Sequence, residues 1–213
     1  MTQALFFGSL GTLVETSELQ RQAFNRAFTQ AGLGWYWNVA TYCELLQIVG
    51  GKNRIQHHAM TPLNPDKVEE IHQAKEAYFA EMMAGGEQAR PGVVELIQAA
   101  KARGIPVYWV TTTSQANIDA VLQALAGQVE RADFERIFTK DDVDQAKPNP
   151  QVYQMALEVA GVEADQVLAI EDTLDNQQAA QAAGTACVLF PGEYARVVQG
   201  QPVHRLSGEL LAS

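Results

Sequence analysis

The chain has 213 residues, 47% of them hydrophobic, which is enough for one domain or for a core with a smaller insertion. Its formal net charge of −10 argues against a nucleic-acid-binding or anionic-membrane surface, although local positive groups can still bind an anionic ligand. No apolar run approaches the ~20 residues of a membrane span. The two cysteines, Cys43 and Cys187, have neither metal spacing nor the number for a disulfide framework, so we expect a cytoplasmic protein with reduced thiols.

The first predicted element is a short apolar strand over Ala4 to Phe7, and the turn that follows it contains two glycines. The turn reads Gly8-Ser9-Leu10-Gly11-Thr12. Ligands of parallel sheets bind at the carboxyl ends of the strands, so this turn is a candidate site segment if the chain forms such a sheet.

The segment from residue 16 to 85 is predicted to be helical. Apolar residues recur at helical spacing over Leu19 to Ala31 and over Asp66 to Met83, and a further helix fits around Tyr42 to Val49. Because no convincing strand lies between these helices, we predict a helical cap, residues 16–85, inserted after the first strand of a core formed by residues 1–15 and 86–213.

From Pro91 onwards, predicted helices alternate with short apolar strands. In order they are a helix over Val93 to Arg103, a strand over Ile105 to Val110, a helix around Ile118 to Leu125, a strand over Arg136 to Phe138, a helix over Val152 to Ala160, a strand over Val167 to Ile170, a helix over Gln177 to Ala183 and a strand over Ala186 to Phe190. The alternation predicts an α/β fold whose parallel sheet is covered by helices on both faces.

Polar side chains follow four of these strands. The segments are Gly8 to Thr12, Thr111 to Ser114, Lys147 to Pro150 and Glu171 to Thr173. Hydroxyl groups at a helix N-terminus offer donors to an anion, a lysine adds positive charge, and paired carboxylates suit Mg²⁺. Taken alone, each feature has a plainer explanation as a helix cap, a solvated lysine or acidic residues before a helix. Their joint placement favours a phosphate site.

An ordered set of short motifs extends over nearly the whole chain. They are Gly11-Thr12-Leu13, Glu15 to Leu19, Arg21 to Asn25, Gly50 to Ile55, Arg90-Pro91-Gly92, Thr111, Lys147-Pro148, Ile170 to Thr173 and Ala182-Ala183-Gly184. With these motifs the chain resembles the haloacid dehalogenase superfamily, in its CbbY-like and β-phosphoglucomutase-like branch of sugar-phosphate phosphatases. The resemblance implies a Rossmannoid core with a helical cap after the first strand, and a photosynthetic or carbon-fixing source.

The resemblance also implies roles for the core residues. Thr111 and Thr112 would hydrogen-bond the phosphoryl group, and Lys147 would neutralise its charge. Glu171 and Asp172 would hold Mg²⁺. We expect this metal binding to be weakened and no cofactor to be required, because the nucleophile that the chain lacks is itself a metal ligand in the family.

The missing nucleophile is the main departure from the family pattern. Gly8 stands at the position of the aspartate nucleophile and Leu10 at that of the aspartate acid/base, so neither can perform its chemistry. Gln20 stands where a histidine is usual. Ser9 does not replace the nucleophile, because alternation along the strand points it away from the face used by its neighbours. Leu10 is also a candidate to fill the pocket and close it.

The cap offers further candidate contacts. By resemblance, Lys52 and Arg54 would contact the distal phosphate or hydroxyls of a substrate, and a pair of exposed surface residues is the alternative. Trp35-Tyr36-Trp37 is a candidate surface for a protein partner, and packing between the cap helices is the alternative. The irregular C-terminal segment is a second candidate surface, with Tyr194, Arg196, His204 and Arg205.

Three functions are consistent with this pattern. The first is a catalytically silent member of the family that binds a protein partner or a phosphorylated metabolite through the remaining phosphate groups. The second is an active sugar-phosphate phosphatase or phosphomutase with unusual residual chemistry. The third is a structural subunit of a larger assembly, with a vestigial pocket. A nucleic-acid partner is not expected.

Overall fold

The computed structural model of the chain describes residues 1–48, 50–194 and 204–212. The chain divides into two compact units, Met1–Glu15 with Gly86–Ser213, and Thr16–Gly85. The first unit is built around a β-sheet, and the described residues of the second form helices and connecting loops. Among the described residues, none of the helices combines the length and the apolar character that a membrane span requires.

The helices and strands follow one another along both units. In chain order they are β1 Ala4–Phe7, α1 Leu10–Leu13, α2 Ser17–Gln30, α3 Val39–Leu45, α4 Gly51–His58, α5 Pro65–Met83, α6 Val93–Ala102, β2 Val107–Val110, α7 Gln115–Ala124, β3 Arg136–Phe138, α8 Gln151–Ala160, β4 Val167–Glu171, α9 Leu174–Ala182 and β5 Ala186–Leu189. Short 3-10 helices cover Arg131–Asp133, Lys140–Asp142, Ala164–Gln166 and Gly208–Ala212.

A five-stranded parallel sheet forms the centre of the first unit. Its strand order is β3-β2-β1-β4-β5, so the chain crosses over repeatedly between strands. Strands β1, β2 and β4 are buried over their whole length, as expected for a parallel sheet that is covered on both faces. The predicted α/β fold is confirmed.

Helix α8 packs on one face of this sheet through aromatic side chains. The Phe6 ring lies 5.3 Å from that of Tyr108 and 6.4 Å from that of Tyr153, and all three residues belong to one buried cluster. Helix α8 therefore carries Tyr153 beneath the central strands, and its hydroxyl group reaches the last residue of β4.

The structure corrects three local predictions. Glu171 is the last residue of β4 and not part of the following loop, and the turn after β1 includes one helical turn, α1. The helix predicted around Tyr42 to Val49 ends at Leu45, and a second helix begins at Gly51. The break coincides with Gly50, whose φ of 88° is incompatible with a continuous right-handed helix. Val49 itself lies outside the described residues.

The helical unit has an aromatic core. Trp37 is fully buried, with its ring 4.6 Å from that of Phe24 and 4.7 Å from that of Phe28. Trp35 contacts the Phe28 ring at 5.4 Å, whereas Tyr36 is 68% exposed. The packing alternative therefore holds for the two tryptophans, and only Tyr36 remains as a candidate surface aromatic.

The described part of the C-terminal segment is attached to the sheet-containing unit. The Leu206 N–H donates to the Pro91 carbonyl at 3.0 Å, and Arg205 forms an ion pair with Glu95 at 2.8 Å. Arg196, predicted to belong to a partner surface, lies outside the described residues.

Replacing Gly92 with alanine is expected to lower the free energy of unfolding by about 3 kcal/mol or more. Gly92 has a φ of 87°, which costs an L-residue ~1–2 kcal/mol, and a Cβ there would overlap the backbone of Leu206. Gly104→Ala is the matched control, because Gly104 has a φ of 67° and nothing within 4 Å of an added Cβ. Its expected loss in urea denaturation is about 1 kcal/mol. Equal losses would contradict close packing of Leu206 on Gly92.

Candidate active site

The carboxyl ends of the three central strands bring the predicted phosphate residues together. Phe7 is in register with Trp109 of β2 and with Ile170 of β4, and the Gly8 N–H donates to the Ile170 carbonyl at 2.9 Å. The turn after β1 therefore lies between the ends of β2 and β4, where Thr111 and Glu171 stand.

Lys147 enters this site from the loop before α8 and forms a buried ion pair. Its Nζ lies 2.5 Å from Glu171 Oε1 and donates to the Val110 carbonyl at 2.6 Å. The Tyr153 hydroxyl group also donates to Glu171 Oε1, at 2.5 Å. Lys147 is not the solvated loop lysine of the plainer explanation, because only 3% of its side chain is exposed.

Burial sets the electrostatics of this cluster. Desolvation raises the pKa of Glu171 above its usual range, while the charge of Lys147 and its hydrogen bond oppose the rise. Desolvation also raises the pKa of Tyr153, and the nearby Glu171 carboxylate adds to the effect, so the Tyr153 hydroxyl group stays protonated and acts as a donor. Removing either partner of such a buried ion pair typically lowers the free energy of unfolding by about 3–5 kcal/mol.

The Glu171 carboxylate lies directly against Gly8. A Cβ placed on Gly8 would overlap the carboxyl carbon and both carboxylate oxygens of Glu171. The Ser9 N–H donates to Glu171 Oε2 at 3.3 Å, which ties the carboxylate to the turn after β1. Glu171 therefore fills the space that a side chain at position 8 would need.

Asp172 has a similar relation to the second glycine of the turn. A Cβ on Gly11 would overlap Asp172 Oδ2, and Asp172 Oδ1 accepts from the Asn176 side chain at 3.2 Å. The Gly11 carbonyl accepts from the Arg90 guanidinium at 2.6 Å, and the same guanidinium donates to the Phe190 carbonyl at 2.8 Å. Arg90 thus fixes the turn from the side of the last strand.

The Glu171 carboxylate, a predicted Mg²⁺ ligand, is already bound by other groups of the chain. Within the described ranges, no group of three or more His, Cys, Asp or Glu side chains is arranged to hold a metal ion. Glu171 has one oxygen bound to Lys147 and Tyr153 and the other to the Ser9 N–H. A metal would have to take this carboxylate from its present partners, so weakened Mg²⁺ binding at Glu171 and Asp172 stays a prediction.

The hydroxyl groups after β2 have distinct environments. Thr111 is buried, and its Oγ1 accepts from the Thr113 N–H at 3.1 Å, while Thr112 is half-buried. Ser114 caps α7 by accepting from the Asn117 N–H, as the plainer explanation predicted. Phosphate binding by Thr111 and Thr112 stays a prediction.

The predicted cap contacts already have partners within the helical unit. Lys52 is exposed and pairs with Glu69 at 2.5 Å. Arg54 is half-buried, and its Nε donates to the carbonyls of Leu45 at 3.1 Å and Ile48 at 2.8 Å. The alternative of two exposed residues is therefore wrong for Arg54, which ties α4 to the chain before it. Substrate contact by either residue stays a prediction.

Sequence reasoning missed two buried polar residues. Tyr153 lies in the helix predicted over Val152 to Ala160 and received no role, although it follows Lys147 by six residues, a signal that places both near one helix start. Lys75 lies in the helix predicted over Asp66 to Met83 and received no role; it is 5% exposed, with its Nζ 2.8 Å from Glu76 Oε1. A charged residue within an apolar helical stripe was the available signal there.

Replacing Tyr153 with phenylalanine is expected to lower the free energy of unfolding by about 1.5–3 kcal/mol, because a buried carboxylate loses a donor. The matched control is Tyr78→Phe, whose hydroxyl group donates to Gln30 at 2.8 Å in an exposed position. That exposed bond is expected to contribute less than about 0.5 kcal/mol. Chemical denaturation measures both variants, and equal losses would contradict a Tyr153–Glu171 bond.

Comparisons with known proteins agree with this architecture. The family model for haloacid dehalogenase-like hydrolases matches residues 2–184. Protein CbbY of Cereibacter sphaeroides is 41% identical over 201 residues, covering 92% of this chain and 87% of the relative. The crystal structure of CbbY from Rhodobacter sphaeroides in complex with phosphate has 39% identity and a TM-score of 0.84, and covers 93% of this chain and 90% of that chain.

A second crystal structure of Rhodobacter sphaeroides CbbY, an aspartate-to-asparagine mutant in complex with xylulose-1,5-bisphosphate, has 38% identity and a TM-score of 0.85. It covers 99% of this chain and 96% of that chain. The predicted resemblance is confirmed at the level of the family and of its CbbY-like branch. The chain belongs to the haloacid dehalogenase-like hydrolase family, among the CbbY-like proteins.

Proposed function

We propose that this chain is a catalytically silent CbbY-like protein that binds a phosphorylated sugar without hydrolysing it. The observation that carries the proposal is at the end of β1. Position 8 has no side chain, and a carboxylate from β4, that of Glu171, lies in the space such a side chain would need. The groups that remain include the Thr111 hydroxyl group, a hydrogen-bond donor, and the Lys147 ammonium group, a positive charge, and neither is the carboxylate that the family uses as nucleophile or acid/base.

Neither Leu10 nor Ser9, in the turn after β1, substitutes for the missing groups. Covalent phosphoryl transfer needs a nucleophile and an acid/base, and Leu10 is a buried apolar residue. Ser9 Oγ is buried and has no hydrogen-bond partner among the described residues, so no base activates it. In another covalent hydrolase, losing the nucleophile lowers kcat by about 10⁶-fold, or ~8 kcal/mol of barrier. A loss of that size leaves no useful turnover.

The class of ligand is supported by the relatives. Their crystal structures hold phosphate in one case and xylulose-1,5-bisphosphate in the other. The resemblance assigns Thr111 and Lys147 to phosphate binding, so we assign the chain a phosphorylated sugar as ligand and a regulatory or accessory role. The cytoplasmic location and the photosynthetic source stay predictions of the same kind.

A second candidate function is that of an assembly subunit, or of a binder of a protein partner, whose pocket is vestigial. It is favoured by the ion pair itself, because Lys147 is already neutralised by Glu171. Such a partner would contact the helical unit at Tyr36, whose ring is exposed. Calorimetry with xylulose-1,5-bisphosphate separates the two candidates: the first predicts a weak heat of binding and the second predicts none.

The parent chain is expected to release no inorganic phosphate from xylulose-1,5-bisphosphate or other sugar phosphates, even with excess Mg²⁺. Gly8→Asp/Leu10→Asp is expected to restore hydrolysis, because it supplies both missing carboxylates. The new side chain at position 8 would also displace the Glu171 carboxylate from the space beside Gly8. Gly8→Asn/Leu10→Asn is the matched control, since it adds the same bulk without a nucleophile, and it is expected to stay silent. Hydrolysis by the parent chain would mean that it is an active phosphatase with unusual chemistry, and the proposal would be wrong.

A further inference from the structure

Lys147 has no hydrogen-bond donor left for an external anion. A lysine ammonium group has three N–H donors. The Nζ of Lys147 has three oxygen partners inside the protein: the Val110 carbonyl at 2.6 Å, Glu171 Oε1 at 2.5 Å and the Tyr153 hydroxyl oxygen at 3.5 Å. A phosphate oxygen can therefore contact this ammonium group only by replacing one of the three.

Of the three groups that contact the Lys147 ammonium group, the Glu171 carboxylate is the one most like a phosphate, because both are oxyanions. Its carboxylate is fully buried and is held by an ammonium group, a hydroxyl group and a backbone N–H, those of Lys147, Tyr153 and Ser9. These are the types of donor that bind oxyanions in proteins. The carboxylate thus has the charge and the contacts of a bound anion, although it belongs to the chain.

Gly8 is what allows this arrangement. Any side chain at position 8 would begin with a Cβ inside the Glu171 carboxylate, so the carboxylate would have to leave. The substitution that removes the nucleophile therefore also creates the space that Glu171 occupies. Loss of catalysis and occupation of the anion position have the same structural cause.

We propose that Glu171 is an internal competitor for the anion site, so that a phosphate group binds Lys147 only by displacing the Glu171 carboxylate. This inference rests on the proposed function and adds the regulation of that same site. Neutralising Glu171 should therefore strengthen the binding of phosphate in the absence of metal. If Glu171 acted as a metal ligand instead, its loss would be expected to weaken phosphate binding that depends on the metal.

Two substitutions separate charge from volume. Glu171→Gln keeps the shape of the side chain and, through its Oε1, the hydrogen bonds from Tyr153 and Lys147. It removes the negative charge and the acceptor of the Ser9 N–H. Glu171→Ala removes both charge and volume. Glu158→Gln is the matched control, because Glu158 is exposed on α8 and its change to glutamine alters the net charge by the same amount.

The experiment is calorimetric titration of the full chain and its variants with inorganic phosphate and with xylulose-1,5-bisphosphate, in EDTA so that no divalent cation contributes. Glu171→Gln and Glu171→Ala are each expected to lower Kd at least tenfold relative to the parent, and Glu158→Gln is expected to leave it unchanged. Adding Lys147→Met to Glu171→Ala is expected to abolish the gain, because the ammonium group that binds the phosphate is then gone.

The proposal is overturned if Glu171→Gln binds phosphate no more tightly than the parent does. The glutamine variant decides the question even if Glu171→Ala does not fold, since it keeps the side-chain volume and the hydrogen bonds from Tyr153 and Lys147. Two other results would contradict the proposed function itself. They are hydrolysis of the sugar phosphate by the parent chain, and the absence of phosphate binding by the parent and by every variant. If the parent binds phosphate and does so as tightly as Glu171→Gln, only the proposal that Glu171 competes with phosphate is contradicted.

Discussion

The buried ion pair between Lys147 and Glu171 is the interaction on which the candidate site depends. Lys147 reaches the carbonyl end of β2 at Val110, and Glu171 reaches the turn after β1 through the Ser9 N–H. The pair therefore joins the ends of the three central strands. Replacing a buried ion pair with apolar groups often leaves the free energy of unfolding unchanged, whereas removing one partner lowers it strongly. We therefore expect loss of Lys147 or Glu171 alone to destabilise the protein more than replacement of both by apolar residues.

Gly8 gives this ion pair its particular geometry. The Glu171 carboxylate lies in the space that a Cβ at position 8 would need and is held there by Tyr153. The positive charge of Lys147 in this site is therefore paired with a carboxylate of the chain itself. Under the proposed function, an external oxyanion that binds here competes with that carboxylate.

The sequence predicts the placement of these residues better than their contacts. Thr111, Lys147 and Glu171 could be assigned to one edge because parallel strands alternating with helices bring their carboxyl ends together. The partner of each side chain could not be predicted, since it depends on a rotamer chosen by tertiary packing. For the same reason the carbonyl contacts of Arg54 and the buried hydroxyl group of Tyr153 were not foreseen, although Arg54 belongs to a motif of the sequence and Tyr153 lies on a predicted helix.

The central claim is that Glu171 occupies the space of the side chain missing at Gly8, and a double-mutant cycle of Gly8→Ala and Glu171→Ala tests it most directly. Urea denaturation measures the free energy of unfolding of the four proteins. Gly8→Ala is expected to destabilise the parent, because its Cβ meets the carboxylate, and to cost clearly less in the Glu171→Ala background. The predicted coupling is about 1–3 kcal/mol. Additive effects would show that the carboxylate does not lie against Gly8 and would contradict the claim.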